Sequence, residues 1–305
     1  MMPQVKYKRK FHSGPNRNDK WYAYAMIAPI ILGFFLLLLG PLLYSAYLSL
    51  TDAGLVGSGK FVGLANYKKL FTGDKLFKTV TSNSIYFMVG LVPIHIGMSL
   101  FVANLLNQKI RFVGLFRTMA FTPVITSVVV WAIVWKYILA VDYGVVNNLL
   151  AAFGLERINW FYHPKLTMPM VIVTTMIKGM GLNMVLFLSA LKSVPTTFYE
   201  AARIDGANNR RLFFNITIPL ISPTIFLALV TTCIGALKSF ATIYAMTGGG
   251  PANKTSIFVF YIFKLGFKQG KMGYASAVAM ILFLIVFVLT VFQWSMRRRF
   301  VYNEV

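Results

Sequence analysis

Long apolar runs separated by short basic segments dominate the chain. Six runs approach or exceed the roughly 20 residues needed to cross the hydrocarbon layer of a bilayer. They lie at about Tyr22 to Leu48, Thr81 to Leu106, Thr118 to Ala140, Leu166 to Leu191, Ser222 to Ala245 and Tyr274 to Trp294. A helix pairs its backbone groups within itself, so helices are the expected spanning form in a medium without water. Proline within a run does not exclude this, because neighbouring helices can pair the freed carbonyls. The pattern therefore predicts an all-α membrane protein with six transmembrane helices, the spanning domain covering residues 21–296.

Composition strengthens this reading. Hydrophobic residues make up 57% of the 305 residues and charged ones only 12%, about half the charged share of an ordinary soluble domain. The net charge of +22 is compatible with a nucleic-acid binder, but Lys and Arg sit between the apolar runs and at the tails. That placement suits anionic lipid head groups. The basic tail 1–20 followed by an apolar stretch also has the outline of a secretory signal. Residues 21–51 carry no charge, too long a stretch for a signal core, so a retained first span is expected. The single cysteine, Cys233, lies within an apolar run and reads as a buried, inert thiol.

Orientation follows from the flanking charges. With the N-terminus cytoplasmic, 16 basic residues fall inside and 11 outside; for arginine alone the division is ten against one. An even number of spans then places the short C-terminal segment 297–305 in the cytoplasm as well.

The segment 192–221 between the fourth and fifth runs is not a plain polar linker. Thr197 and Glu200 have capping-box spacing ahead of Ala201 and Ala202. Gly206 is placed to end that helix, and Asn208 to start another. Leu212, Phe213 and Ile216 then recur at helical spacing, with Pro219 and Pro223 at the entry to the fifth span. This predicts a helical hairpin with an apolar face. Such a face suits either docking to a partner protein or lying on the lipid interface.

The same segment resembles the EAA coupling loop of permeases in binding-protein-dependent ABC importers. Glu200-Ala201-Ala202, Gly206, Ile216 and Pro219 stand at that family's spacing, and Asp205-Gly206-Ala207 also fits; Ile218 replaces the usual leucine. The resemblance extends over nearly the whole chain after residue 20 and is greatest to sugar-type members. Phe61 to Tyr67, Arg117, Pro123, Gly144 to Asn147, Thr247-Gly248-Gly249-Gly250-Pro251 and Gly273 to Ala277 recur at matching places. It implies the type I ABC importer permease fold, and a hairpin seated on an ATPase subunit through Glu200 and Gly206. It further implies a second, related permease forming a heterodimer, two ATPase subunits and an extracytoplasmic sugar-binding protein.

Polar groups within the spans are candidates for a solute path. Lys136 lies near a span end and can snorkel to the interface. Lys178 and Lys238 lie deeper, where charge is costly, and no acid lies deep in a span to neutralise them. Asn183, Ser239 and Thr242 offer hydrogen bonds, and Phe240 and Tyr244 offer rings for stacking on a sugar. Helix-to-helix bonding is the plainer role for each of these residues. His95 reads as a packed residue, and His12, His95 and His163 form no metal cluster. The loop Thr247 to Pro251 fits either a close approach to a partner or a sugar, or a simple turn at a helix end.

The expected protein is the permease of an ATP-driven sugar importer with no cofactor of its own. Lacking a phosphate-binding glycine loop, it relies on partner subunits to bind and hydrolyse ATP. A phosphorylated solute such as glycerol phosphate, held by Lys178 and Lys238, is an alternative. An ion-driven transporter is another, although this chain shows neither deep acids nor an internal repeat. No nucleophile–base or metal constellation points to an enzyme.

Overall fold

A computed structural model describes residues 17–57, 59–108 and 111–300. Tail residues Lys6, Lys8, Arg9 and Lys10, together with His12 and Lys109, lie outside the described residues. The described elements are helical, with one isolated antiparallel bridge between Thr51 and Phe61.

The chain divides into residues 1–47 and 48–305. In the first unit, α1 (Arg17–Phe34) continues through a π-helical turn, Phe35–Leu39, into α2 (Gly40–Ser49). Pro41 cannot donate a backbone hydrogen bond, and the helix widens just before it. The stretch Tyr24–Ser49 has a mean hydropathy of 2.5 over its most apolar part.

The second unit is built on α4 (Lys75–Leu106) and α8 (Thr167–Ser193), which pack together along much of their lengths. Gly90 permits the approach: a Cβ there would lie 2.8 Å from Ile172 Cδ1, and small residues let membrane helices pack closely. α5 (Val113–Ile125) lies against α8, and α12 (Ser222–Leu237) against α4. α15 (Met272–Phe300) packs on α12 and on α14 (Phe258–Phe263). Phe87, Leu91, Val171, Ile172, Met176 and Ile243 form the core between these layers, and Cys233 is buried beside them as expected. The outer faces keep large apolar side chains exposed, such as Val89 and Phe101 on α4 and Phe287 and Val288 on α15. In an integral membrane protein those faces meet lipid rather than water.

Four helical stretches are long and apolar enough to cross a membrane, and the total reaches six if each of two bent pairs makes one span. Two expected spans are therefore not straight. The third is α5 plus α6 (Val128–Ile138), bent by 105°. The break follows Pro123, with Thr126 and Ser127 in extended conformation. The fifth, expected from Ser222 to Ala245, begins at a 68° bend between Asn209–Leu220 and Ser222–Leu237. It also ends at Leu237 rather than Ala245, because Lys238 to Phe240 leave the helix before α13 (Ala241–Met246).

Segments flanking the spans are pinned by specific polar groups. Asn66, at the start of α3 (Ala65–Thr72), donates to Ser49 O and Thr51 O. Buried Asn147 of α7 (Val145–Ala152) donates to Ala140 O and Ile158 O, and accepts from Ile158 N. Gly273 lies against the Thr51 backbone, where a Cβ would come within 2.1 Å of its oxygen.

Asp74 joins three elements. It caps α4 by accepting from Phe77 N at 3.0 Å, and it accepts from Tyr261 of α14 and Tyr274 of α15. Burial opposes its ionisation, but the hydrogen bonds from Tyr261, Phe77 and Tyr274 prevail and hold the carboxyl below its usual range. The sign follows: this stabilisation is complete above the unfolded value near pH ~4 and fades as pH falls through the lower native value. Asp74→Asn is expected to lower the thermal midpoint of the purified protein at neutral pH, by an amount equivalent to about 2 kcal/mol. Acidification below about pH 4 should shrink that difference. A midpoint equal to wild type at neutral pH contradicts the assignment.

Candidate functional site

Two features stand out within the second unit: a helical hairpin and a largely apolar cavity edged by several polar side chains. The hairpin begins with α9 (Thr196–Ile204). Its N-cap is Pro195, with no side-chain cap, so the expected Thr197–Glu200 capping box does not form. The helix starts two residues earlier than the box requires, and Thr197 falls inside its first turn.

The other end follows the sequence reading. Gly206 has φ +78°, the left-handed conformation that glycine adopts at low cost. Ala207 N donates to Ala202 O at 2.9 Å, and Gly206 N to Arg203 O at 3.0 Å. Asn208 then caps α10 (Asn209–Arg211) by accepting from Arg211 N at 2.9 Å. The second arm widens into a π-helix, Leu212–Thr217, before α11 (Ile218–Leu220). The widening changes the expected face: Leu212 and Thr217 are buried, Phe213 and Ile216 are half-buried, and Phe214 is exposed. Tyr199 and Thr217 close the two arms with a hydroxyl–hydroxyl bond of 3.0 Å.

Glu200, Ala201, Asp205 and Gly206 remain exposed, whereas Ala202, Ala207 and Pro219 are half-buried. Ile204 is 87% exposed and Phe198 45%. A rigid turn thus presents an acid beside uncovered apolar side chains.

The cavity lies among α4, α8 and α12 and measures about 330 Å³. Its lining includes Thr175, Lys178, Gly179, Leu182 and Asn183 from α8, and Thr231, Thr232, Gly235 and Ala236 from α12, with Ser239 just beyond. On each helix these positions recur at three- and four-residue intervals, so they share one face. His95 and Leu91 of α4 complete the lining.

Of the expected path residues, Lys178, Asn183 and Ser239 line this cavity. The Lys178 ammonium donates to Pro123 O at 3.0 Å and Thr126 O at 2.7 Å. It is therefore paired with carbonyls at the break between α5 and α6, not with an acid. Asn183 donates to Thr232 Oγ1 at 3.1 Å. Lys238 is exposed at the end of α12 and does not line the cavity; nor does Thr242, which is buried. Phe240 and Tyr244 stack on each other at 5.4 Å, in an aromatic group with Phe260 and Phe263 outside the cavity lining.

The glycine loop folds on itself. Gly248 and Gly249 have φ +57° and +84°. Thr255 donates to Gly250 O and bonds Thr247, while Gly249 N donates to Thr247 Oγ1. The Gly250–Pro251 bond is cis. A Cβ on Gly249 would lie 2.5 Å from the Phe260 ring. The backbone of this loop thus lies against the chain's own Phe260 ring.

His95, expected to be merely packed, also faces the cavity. Both of its ring nitrogens are shielded from solvent. Its setting depends on the pairing of α4 with α8, which no local sequence signal announces.

Long apolar helices around a largely apolar cavity edged by polar side chains, with a folded hairpin beside them, have the arrangement expected of a transport permease. Residues 95–301 match the binding-protein-dependent transport system inner membrane component family, and the chain belongs to it. The lactose transport system permease protein LacF of Rhizobium radiobacter is 37% identical, covering 89% of this chain and 92% of that protein. The sn-glycerol-3-phosphate transport system permease protein UgpA of Yersinia pestis is 33% identical, covering 94% and 97%. Among solved structures, a bacterial alginate ABC transporter in complex with an alginate pentasaccharide-bound periplasmic protein matches with TM-score 0.83. That match is 24% identical and covers 94% of this chain and 98% of the other.

Proposed function

We propose that this permease carries a sugar or oligosaccharide inward, receiving it from an extracytoplasmic binding protein. ATP is bound and hydrolysed by two separate ATPase subunits, and a second, related permease completes the pathway as a heterodimer. The hairpin within 192–221 is the coupling element. Glu200, Ala201, Ala202, Asp205, Gly206, Ala207, Phe213 and Pro219 form or support its docking surface, and the tails 1–20 and 297–305 share its cytoplasmic side. A reporter fused after Arg299 that works only when exported overturns that orientation. The spanning domain alternates between outward and inward openings, as unequal binding of ATP and solute shifts the population.

The observation that carries this reading is the Gly206 turn, which holds Glu200 exposed beside Phe198 and Ile204 at the spacing of the family's coupling motif. The sugar reading draws on relatives such as LacF, and on Lys178 being already engaged with carbonyls. Likeness to UgpA, with Lys238 exposed next to the cavity-lining Ser239, favours a phosphorylated solute as the second reading.

The test is ATP-dependent uptake by the complex reconstituted with its ATPases and binding protein. Lactose, arabino-oligosaccharides and glycerol 3-phosphate are offered separately and in competition. Uptake of a sugar with ATP, and none without it, is expected. Uptake of glycerol 3-phosphate alone selects the second reading. Transport driven by an ion gradient and indifferent to ATP removes both.

A further inference from the structure

A second cavity, of about 470 Å³, lies between α12 and α15. One wall runs from Ile218 of α11 to Leu229 of α12, the other from Leu289 to Met296 of α15. Ser222 and Gln293 are its polar members, and the rest of the lining is apolar. α12 and α15 form the fifth and sixth spans and run in opposite directions. Leu237, at the end of α12, accordingly shares a buried cluster with Tyr274 and Ala275 near the start of α15. Ser222 and Met296 therefore lie toward the same face of the membrane, and Leu229 and Leu289 lie deeper. Between Leu289 and Met296, α15 rises about 10 Å. That is most of the roughly 15 Å that one leaflet contributes to the hydrocarbon layer.

The shallow end of this groove is basic. The apolar stretch Met272–Arg297 ends where Trp294, 63% exposed, carries the Arg297 guanidinium over its ring at 5.1 Å. Tryptophan at a span end marks the depth of the lipid head groups. Arg298 and Arg299 follow in the sequence, and Arg210 and Arg211 precede the other wall. No Asp or Glu occurs between Asp205 and Glu304. Neither wall therefore supplies a carboxylate to neutralise these arginines.

We infer that this groove holds an acyl chain of an anionic phospholipid whose head group rests on the arginines at its mouth. An apolar slot accepts the chain of any phospholipid, whereas the charge at the mouth selects the anionic ones. Basic clusters at the ends of membrane helices attract such head groups. The inference rests on α12 and α15 crossing the membrane and is independent of the solute carried.

The experiment uses the full complex, purified and delipidated in detergent. Phosphatidylglycerol and phosphatidylcholine with identical acyl chains are offered in competition, without ATP or solute, and the most tightly held lipid is identified by native mass spectrometry. Wild type is expected to hold phosphatidylglycerol at least about tenfold more tightly than phosphatidylcholine. Replacing Arg297, Arg298 and Arg299 together by glutamine should abolish that preference and leave phosphatidylcholine binding in place. Ile225→Trp fills the groove and should weaken retention of both lipids about tenfold. Val291→Trp, on an exposed part of α15 outside the lining, should change neither. If Ile225→Trp does not assemble, Met296→Trp at the mouth takes its place. Equal retention of the two lipids by wild type overturns the inference. So does an unchanged preference in the glutamine variant, or unchanged retention with the groove filled. A filled groove that releases the second permease instead of lipid also overturns it, because a protein then occupies the slot. None of these outcomes reads uptake, so the permease reading stands or falls separately.

Discussion

Gly206→Val is expected to uncouple uptake from ATP, whereas Gly206→Asn should leave the hairpin folded. The difference comes from backbone conformation alone. No atom lies within 4 Å of where a Cβ on Gly206 would stand, so a side chain meets open space. At φ +78°, however, a β-branched residue is strongly disfavoured, while Asn tolerates the left-handed region. Valine should shift this turn, loosen the Ala207-to-Ala202 bond and re-aim α9. Glu200 would then no longer face its proposed ATPase contact. Loss of a central interface contact commonly costs about 2 kcal/mol or more, so co-purification of the ATPase with Gly206→Val should weaken at least about thirtyfold. Glu200→Ala tests the contact without the turn. Its carboxylate is exposed, and removing such a group changes fold stability by about 0.5 kcal/mol or less. Uptake by Glu200→Ala should nevertheless fall about tenfold at unchanged membrane abundance. Full coupling in both Gly206→Val and Glu200→Ala sinks the docking role. Failure of Gly206→Asn with an intact fold would instead show that the partner needs the bare glycine surface.

Much of this arrangement is legible in the sequence because local chemistry decides it. The glycine after Asp205 and the asparagine at 208 each satisfy helix-end groups that the chain leaves in need of partners. Apolar length locates the long helices for the same reason: backbone satisfaction in lipid is a local requirement. The breaks are hidden because they depend on distant partners. The run Thr118 to Ala140 reads as continuous, and Pro123 alone does not stop a membrane helix. Its 105° bend becomes intelligible only when a cation from α8 is found at the freed carbonyls. Likewise the fifth apolar run continues to Ala245, since nothing local about Lys238 to Phe240 announces an end to its helix. The cavity is half legible. Thr175, Lys178, Gly179 and Asn183 lie at helical spacing, yet hydropathy treats them as interruptions of an apolar run. His95 packs against Gly179, which is 84 positions away in the chain, a placement no local pattern announces.

Lys178→Met is expected to destabilise the permease rather than merely retune its solute preference. α5 ends at Ile125, and its last carbonyls point toward the break before α6. Carbonyls at a helix C-terminus lack partners within the helix and carry the negative end of its dipole. The Lys178 ammonium meets two carbonyls there, those of Pro123 and Thr126, at 3.0 and 2.7 Å. Hydrogen bonds involving a charged group contribute roughly 1.5 to 3 kcal/mol each. Since Lys178 is only half-buried, a combined loss of about 3 kcal/mol is a suitable expectation for methionine, which keeps the length but donates nothing. Lys178→Arg retains the charge and its donors, so it should recover part of the loss. Lys178→Glu sets an anion against the carbonyls and should be the least stable of the three. Thermal unfolding of the purified protein, with uptake measured per assembled complex, separates the two roles of this lysine. A pin at the helix break predicts the stability order lysine, arginine, methionine, glutamate, with uptake following stability. A solute ligand predicts a methionine variant that melts like wild type and loses only its preference among charged and uncharged solutes. That second outcome would return Lys178 to the substrate path and leave the bend in the third span without the cation that accounts for it.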